Sequence, residues 1–169
     1  MIKPEDGTLP KVGEGKRGPD GYLGYLLRQA ANAYRNRADQ ALSDLRLTQP
    51  QFAVLTMLCA YPGHSSADLA RLALLTPQTM SVIVANLLKL GLIQRQVHRQ
   101  HGRIQQLALT EPGQEALRAA RLRVHALERD LLGNLPPEAQ TQIRAWLVRV
   151  AAQGTPVETP APQEAPRPD

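Results

Sequence analysis

The chain has 169 residues, 43% of them hydrophobic and 4% aromatic, with a formal net charge of +5 and a single cysteine. That length suits one domain with a sizeable core, and the abundance of Ala and Leu tilts it toward helix. Cys59 alone permits no intramolecular disulfide, "MIKPEDGTLP" lacks the apolar segment of a signal peptide, and no apolar run is long enough to span a bilayer, so the expected location is the cytoplasm with no membrane partner.

Residues 1–19, rich in Gly, Pro and mixed charge, are expected to be a disordered tail. The stripe Leu23, Leu26, Leu27, Ala30, Tyr34, Ala38, Ala41 and Leu45 predicts a long first helix, hard to bury within one small monomer. "LTQPQFAVLTMLCAY" predicts a second helix. Thr48 is its N-cap, Pro50 sits in the first turn, Gln51 completes a capping box, and Pro62 and Gly63 end it. Within it Cys59 lies among Leu55, Leu58 and Ala60 and reads as a buried core thiol.

"SSADLARLALL" predicts a short third helix, capped by Ser65 with Asp68 three residues on. "TPQTMSVIVANLLKLG" predicts a fourth, with Thr76 as cap, Pro77 at the first position and Gly91 at the stop. "LIQRQVH" and "RIQQLALT" then alternate on either side of "RQHG", the pattern of a β-hairpin with Gly102 at its turn. Thr110 caps a fifth helix, and Pro136 and Pro137 open a sixth. Residues 154–169, with Pro156, Pro160, Pro162, Pro166 and Pro168, are expected to form a Pro-rich disordered tail. A long helix, three helices, a hairpin and two helices make a mostly α fold with a small β-hairpin wing, a winged helix-turn-helix.

The charge pattern points to chemistry. No Asp or Glu occurs from Leu69 to Thr110, while Arg71, Lys89, Arg95, Arg99 and Arg103 do. A localised basic stretch is the footprint of a polyanion partner. Opposite its core stripe, the Thr76 helix presents Gln78, Ser81, Val82, Ala85, Asn86 and Lys89. Gln and Asn amides can pair with adenine, and Val and Ala can touch a thymine methyl. Thr76, Thr79 and Lys89 suit phosphates. Arg99 and Arg103 flank the hairpin tip, where an arginine can enter a minor groove. Together these residues predict contacts to double-stranded DNA.

"LTQPQFAVLTML", "SSADLARLALLTPQTMSVIVANLLKLGLIQR" and "LALTEPGQEAL" together resemble the multiple antibiotic resistance regulator (MarR) family of bacterial transcription factors, over roughly Tyr22 to Ala152. The resemblance implies a homodimer whose first and last helices form the dimerisation region. It also implies a repressor on a palindromic operator, released by an oxidant or by a small-molecule effector whose identity the residues do not specify. The domain would then run over 20–153, with a DNA-binding lobe at about 48–110 and dimerisation helices at about 20–46 and 111–152. Trp146, with Ile143 and Val150, reads as dimer-core packing. Tyr25, Arg28, His64 and Arg121 are candidates to approach the effector site, where the dimerisation helices meet the DNA-binding lobe.

Two positions depart from the family. Where many members have Asp-x-Arg at the wing tip, this chain has His101, Gly102 and Arg103. Where many have an arginine in the recognition helix, it has Val82. The early cysteine of the family's peroxide sensors is absent. His98 and His101 lack the Cys or carboxylate neighbours of a metal site, and no catalytic constellation stands out. Neither a cofactor, a metal nor an enzyme activity is therefore expected. The rival reading is a winged-helix module that offers the same helix face to a protein instead of DNA.

Overall fold

The computed structural model describes residues 9–97 and 105–153. These fall into two compact units, one ending at Glu128 and one beginning at Arg129. In chain order the elements are α1 (Leu23–Leu42), α2 (Gln49–Ala60), α3 (Ser66–Leu72), α4 (Pro77–Lys89), β1 (Ile93–Val97), β2 (Gln105–Leu109), α5 (Glu111–Leu132) and α6 (Pro137–Gln153). This is the mostly helical winged fold that the apolar spacing predicted.

Local chemistry sets the boundaries. Residues 9–19 lie within the expected tail. There, a 3-10 turn at Gly15–Arg17 is closed by Arg17 donating to the Pro10 carbonyl (2.6 Å). The apolar stripe of α1 was expected to run to Leu45, but the helix stops at Leu42. The chain tightens into a 3-10 turn over Ser43–Leu45, and Arg46 adopts a left-handed conformation (φ 54°). The turn delivers Leu47 to the core and α2 to its start, where Asp39 accepts a hydrogen bond from Gln49 N (2.6 Å). Thr48 and Gln51 form the reciprocal capping box of α2.

One core serves the first unit. Leu42 from α1, Val54, Leu55 and Leu58 from α2, Met80 and Leu87 from α4, Ile93 and Leu107 from the strands, and Leu117 and Val124 from α5 are all buried. Much of α1 stays outside it: Leu23 and Ala30 are exposed, and only Ala38 and Leu42 on this helix are buried. The strands pair antiparallel with Ile93 opposite Leu109 and Arg95 opposite Leu107. The α2–α3 loop joins the hairpin through Leu107 N, which donates to the His64 carbonyl (3.1 Å). In the second unit, α6 has no buried residue. Ile143 and Val150 are exposed and Trp146 is half-buried.

Candidate nucleic-acid interface

The helix pair at the centre of the basic stretch is held by its caps. Ser65 Oγ accepts from Asp68 N, and the Asp68 carboxylate accepts in return from Ser65 N and Oγ. These hydrogen bonds from Ser65 hold the Asp68 carboxyl below its usual range against the opposing effect of burial, with smaller help from the charges of Arg71 and His64. α3 ends in a Schellman turn: Leu75 N donates to the Ala70 carbonyl (2.9 Å) and Leu74 N to that of Arg71 (3.2 Å). Leu74, 59% exposed, takes the left-handed position there (φ 52°), usually left to glycine. The chain bends by 116° between α3 and α4, within the range of a helix-turn-helix.

α4 then projects an acid-free face. Met80, Ile83, Val84 and Leu87 are buried, whereas Thr76, Gln78, Thr79, Ser81, Val82, Ala85, Asn86 and Lys89 are exposed. Every candidate predicted on this helix lies on the open side. Thr76 Oγ1 accepts from Thr79 N (3.2 Å) and lies 2.9 Å from Thr79 Oγ1. One of these hydroxyls donates to the other, which leaves the second proton for an outside acceptor. Ser81 Oγ donates back to the Pro77 carbonyl (2.8 Å). Its lone pairs therefore face outward, suited to accept from a base amino group. Val82 is 62% exposed, an apolar contact surface at mid-helix.

The predicted cations separate. Lys89 closes the last turn of α4, and Arg95 is exposed on β1. Arg71 is paired with Asp68 (2.8 Å), which weakens its expected share in holding a polyanion. His98, Arg99, His101, Gly102 and Arg103 lie outside the described residues.

Cavities lined by described residues flank this lobe. The larger, about 580 Å³, is lined by Leu58, Cys59 and Pro62 from the end of α2, Ala108 and Leu109 from β2, and Gln114, Leu117, Arg118 and Arg121 from α5. Cys59 is thus not the buried core thiol expected; it is exposed. The buried stripe of α2 runs through Gln51, Val54, Leu55 and Leu58, and the next residue turns off it by one helical step of about 100°. Of the four effector-site candidates, Arg121 lines this cavity. Arg28 lies over the Tyr25 ring (5.5 Å), and His64 Nδ1 donates to the Tyr61 carbonyl (2.9 Å). Gln114 and Arg118 were missed, although the spacing 114, 117, 118, 121 reads as one helical face. The smaller cavity, about 240 Å³, is lined by Ser66, Ser81, Val84, Ala85, Arg95 and Leu107. Ser66 was overlooked beside the capping Ser65.

Residues 46–104 match the MarR family. An HTH-type transcriptional repressor of Mycobacterium tuberculosis, Rv2887, is 35% identical over 133 residues, covering 79% of this chain and 96% of the relative. The chain belongs to the MarR family. Solved structures of the family superpose on it. Rv2887 in complex with salicylic acid matches with a TM-score of 0.62 and 35% identity over 78% of this chain and 98% of that one. The S. aureus MepR–DNA complex matches with a TM-score of 0.71 and 27% identity over 78% and 96%. As a MarR-family member, the chain is a transcriptional regulator with a winged helix-turn-helix. Among the described residues, no single helix is long and apolar enough to cross a membrane.

Proposed function

We propose that this chain is a homodimeric, cytoplasmic repressor that binds a palindromic DNA operator and has no enzymatic activity. The observation that carries this is the exposed, acid-free face of α4 next to the hairpin. In the major groove, Gln78, Ser81, Val82 and Asn86 read bases, while Thr76, Thr79, Lys89 and Arg95 hold phosphates. Arg99 and Arg103 add minor-groove contacts from the wing. Dimerisation covers the apolar residues that α1, α5 and α6 leave exposed, among them Leu23, Leu122 (74% exposed) and Val148. Residues 1–19 and 154–169 are dispensable for DNA binding.

The effector is a small amphipathic acid held in the 580 Å³ cavity, whose volume falls in the range of roughly 300–1,000 Å³ typical of ligand sites. Leu58, Leu109 and Leu117 supply apolar walls, and Arg118 and Arg121 supply positive charge. Support for such a ligand comes from the relative Rv2887, solved with salicylic acid.

The test is footprinting of the purified protein on DNA, followed by a salt titration. With roughly 6–10 phosphate contacts, affinity should fall by about 10³–10⁵ between ~50 and ~200 mM salt. No protected fragment, or binding insensitive to salt, would favour the protein-partner reading instead.

A further inference from the structure

Thr110 joins β2 to α5, and its N–H, carbonyl and hydroxyl are all engaged. Its N–H donates to the Leu92 carbonyl (3.1 Å), and its carbonyl accepts from Gln114 N (2.9 Å). Its hydroxyl donates to the Gly91 carbonyl (2.6 Å) and accepts from Gly113 N (3.1 Å), which caps α5. Gly91 and Leu92 form the turn that ends α4. Gly91 is left-handed (φ 69°), its N–H donates to the Leu88 carbonyl (3.0 Å), and Leu92 N donates to that of Leu87 (3.0 Å). Thr110 thus holds the end of α4, the start of α5 and, through its peptide bond to Leu109, the root of the hairpin.

The 580 Å³ cavity brackets the same residue. Leu109 before it and Gln114 one helical turn after it both line that cavity, with Leu117 further along α5. An occupant that displaces Leu109 or the first turn of α5 therefore loads Thr110 directly. The joint has little slack: Gly113 packs so close that a Cβ on it would stand 1.9 Å from the Leu92 carbonyl oxygen. Close-packed contacts of this kind pass a small shift on rather than absorb it. We propose that Thr110 is the positioning residue that couples occupancy of this cavity to the placement of α4, and so to DNA affinity. The coupling rests on the reading of the cavity as the effector site. The hydroxyl is the decisive link, because its two bonds tie the cap of α5 to the end of α4 through one oxygen atom.

Cys59 provides a probe that needs no knowledge of the natural effector. It is the chain's single cysteine, it is exposed, and it lines the cavity. Its thiol adds across the double bond of N-ethylmaleimide, the proton passing to the neighbouring carbon, so each chain carries one adduct at a known atom. DNA affinity of the full-length protein is measured with and without the adduct, on a duplex that it selects from a randomised library. The adduct should weaken wild-type binding by about 5- to 150-fold, the usual span of allosteric coupling. Thr110→Asp keeps an acceptor for Gly113 N but has no proton for the Gly91 carbonyl, and Thr110→Val has neither. In both variants the adduct's effect should disappear, whereas Thr110→Ser should retain it. Thr110→Asp, a favoured N-cap, decides the matter if Thr110→Val does not fold. Thr48→Val removes the equivalent cap bond from α2 and should retain the full effect. An undiminished effect in Thr110→Asp, or its equal loss in Thr48→Val, refutes the coupling while the cavity stands as an effector site. If the adduct leaves wild-type binding unchanged, the effector reading falls and the coupling with it. If the unmodified wild type selects no duplex, the DNA-binding reading falls as well.

Discussion

Gly113→Ala is the sharpest single-atom test of this structure. Gly113 lies in the first turn of α5, packed against the turn that ends α4. A Cβ there would stand 1.9 Å from the Leu92 carbonyl oxygen and 2.8 Å from its carbon. Both are backbone atoms, so no side chain can swing aside. Restoring ordinary contact at roughly 3.5 Å requires a shift of about 1.5 Å. The same Leu92 oxygen accepts from Thr110 N (3.1 Å), and Thr110 Oγ1 donates to the Gly91 carbonyl (2.6 Å). A shift of that size breaks both bonds, at about 1 kcal/mol each. Residual overpacking adds about 1–3 kcal/mol, and the better helix propensity of Ala returns at most about 1 kcal/mol. The net loss is about 2–4 kcal/mol, a large part of the roughly 5–15 kcal/mol that holds a domain together. Denaturant unfolding at one fixed protein concentration measures it, since a dimer's stability depends on concentration. Gly24→Ala is the control: Gly24 lies in α1 with nothing within 4 Å of its Cβ position, so this change should be neutral or stabilising. If Gly113→Ala loses less than about 0.5 kcal/mol, within the scatter of neutral surface changes, the docking of α5 on Leu92 is wrong.

Four further outcomes follow from named residues. Gln78→Ala should relax preference at one position per half-site, whereas Arg103→Ala should weaken binding by about 1–3 kcal/mol and reduce A·T preference at the flanks; a randomised duplex library read at one salt concentration separates the two. Leu74→Val should destabilise the helix-turn-helix, because a β-branched residue tolerates the left-handed position worse than leucine; an unchanged melting curve would refute the turn geometry. Asp68 has a lowered pKa when folded, so its contribution is present above the ordinary carboxylate range and is lost as pH falls through the lowered value; Asp68→Asn should flatten the acid limb of stability against pH. Cys59 should react with iodoacetamide in the native protein at the rate of an accessible thiol, and labelling only on unfolding would contradict its place on the cavity wall.

The sequence was most legible where a local signal coincided with a single physical requirement. Thr48, Ser65 and Thr76 each cap as their spacing predicted, because a cap bond joins residues three apart and needs nothing from the rest of the chain. The open face of α4 was legible for a related reason. Its buried stripe at 80, 83, 84 and 87 fixes by helical geometry which residues must point away. The same reasoning fails at Cys59, whose apolar neighbours in sequence are not its neighbours in space. Only the stripe through Leu55 and Leu58 enters the core, and the thiol one residue on meets α5 across a cavity instead. The end of α1 shows a second failure. Leu45 does face inward, as its apolar character demands, but a left-handed Arg46 redirects the chain there, and nothing in the composition of "DLRL" announces it. Ser66 shows the deepest difficulty. Its cavity is assembled from α3, α4 and both strands, so its meaning lies in contacts between residues up to 41 apart, which no window on the sequence can hold. Local chemistry thus locates the exposed face of α4, while the cavities around it exist only once α5 and the hairpin have closed against it.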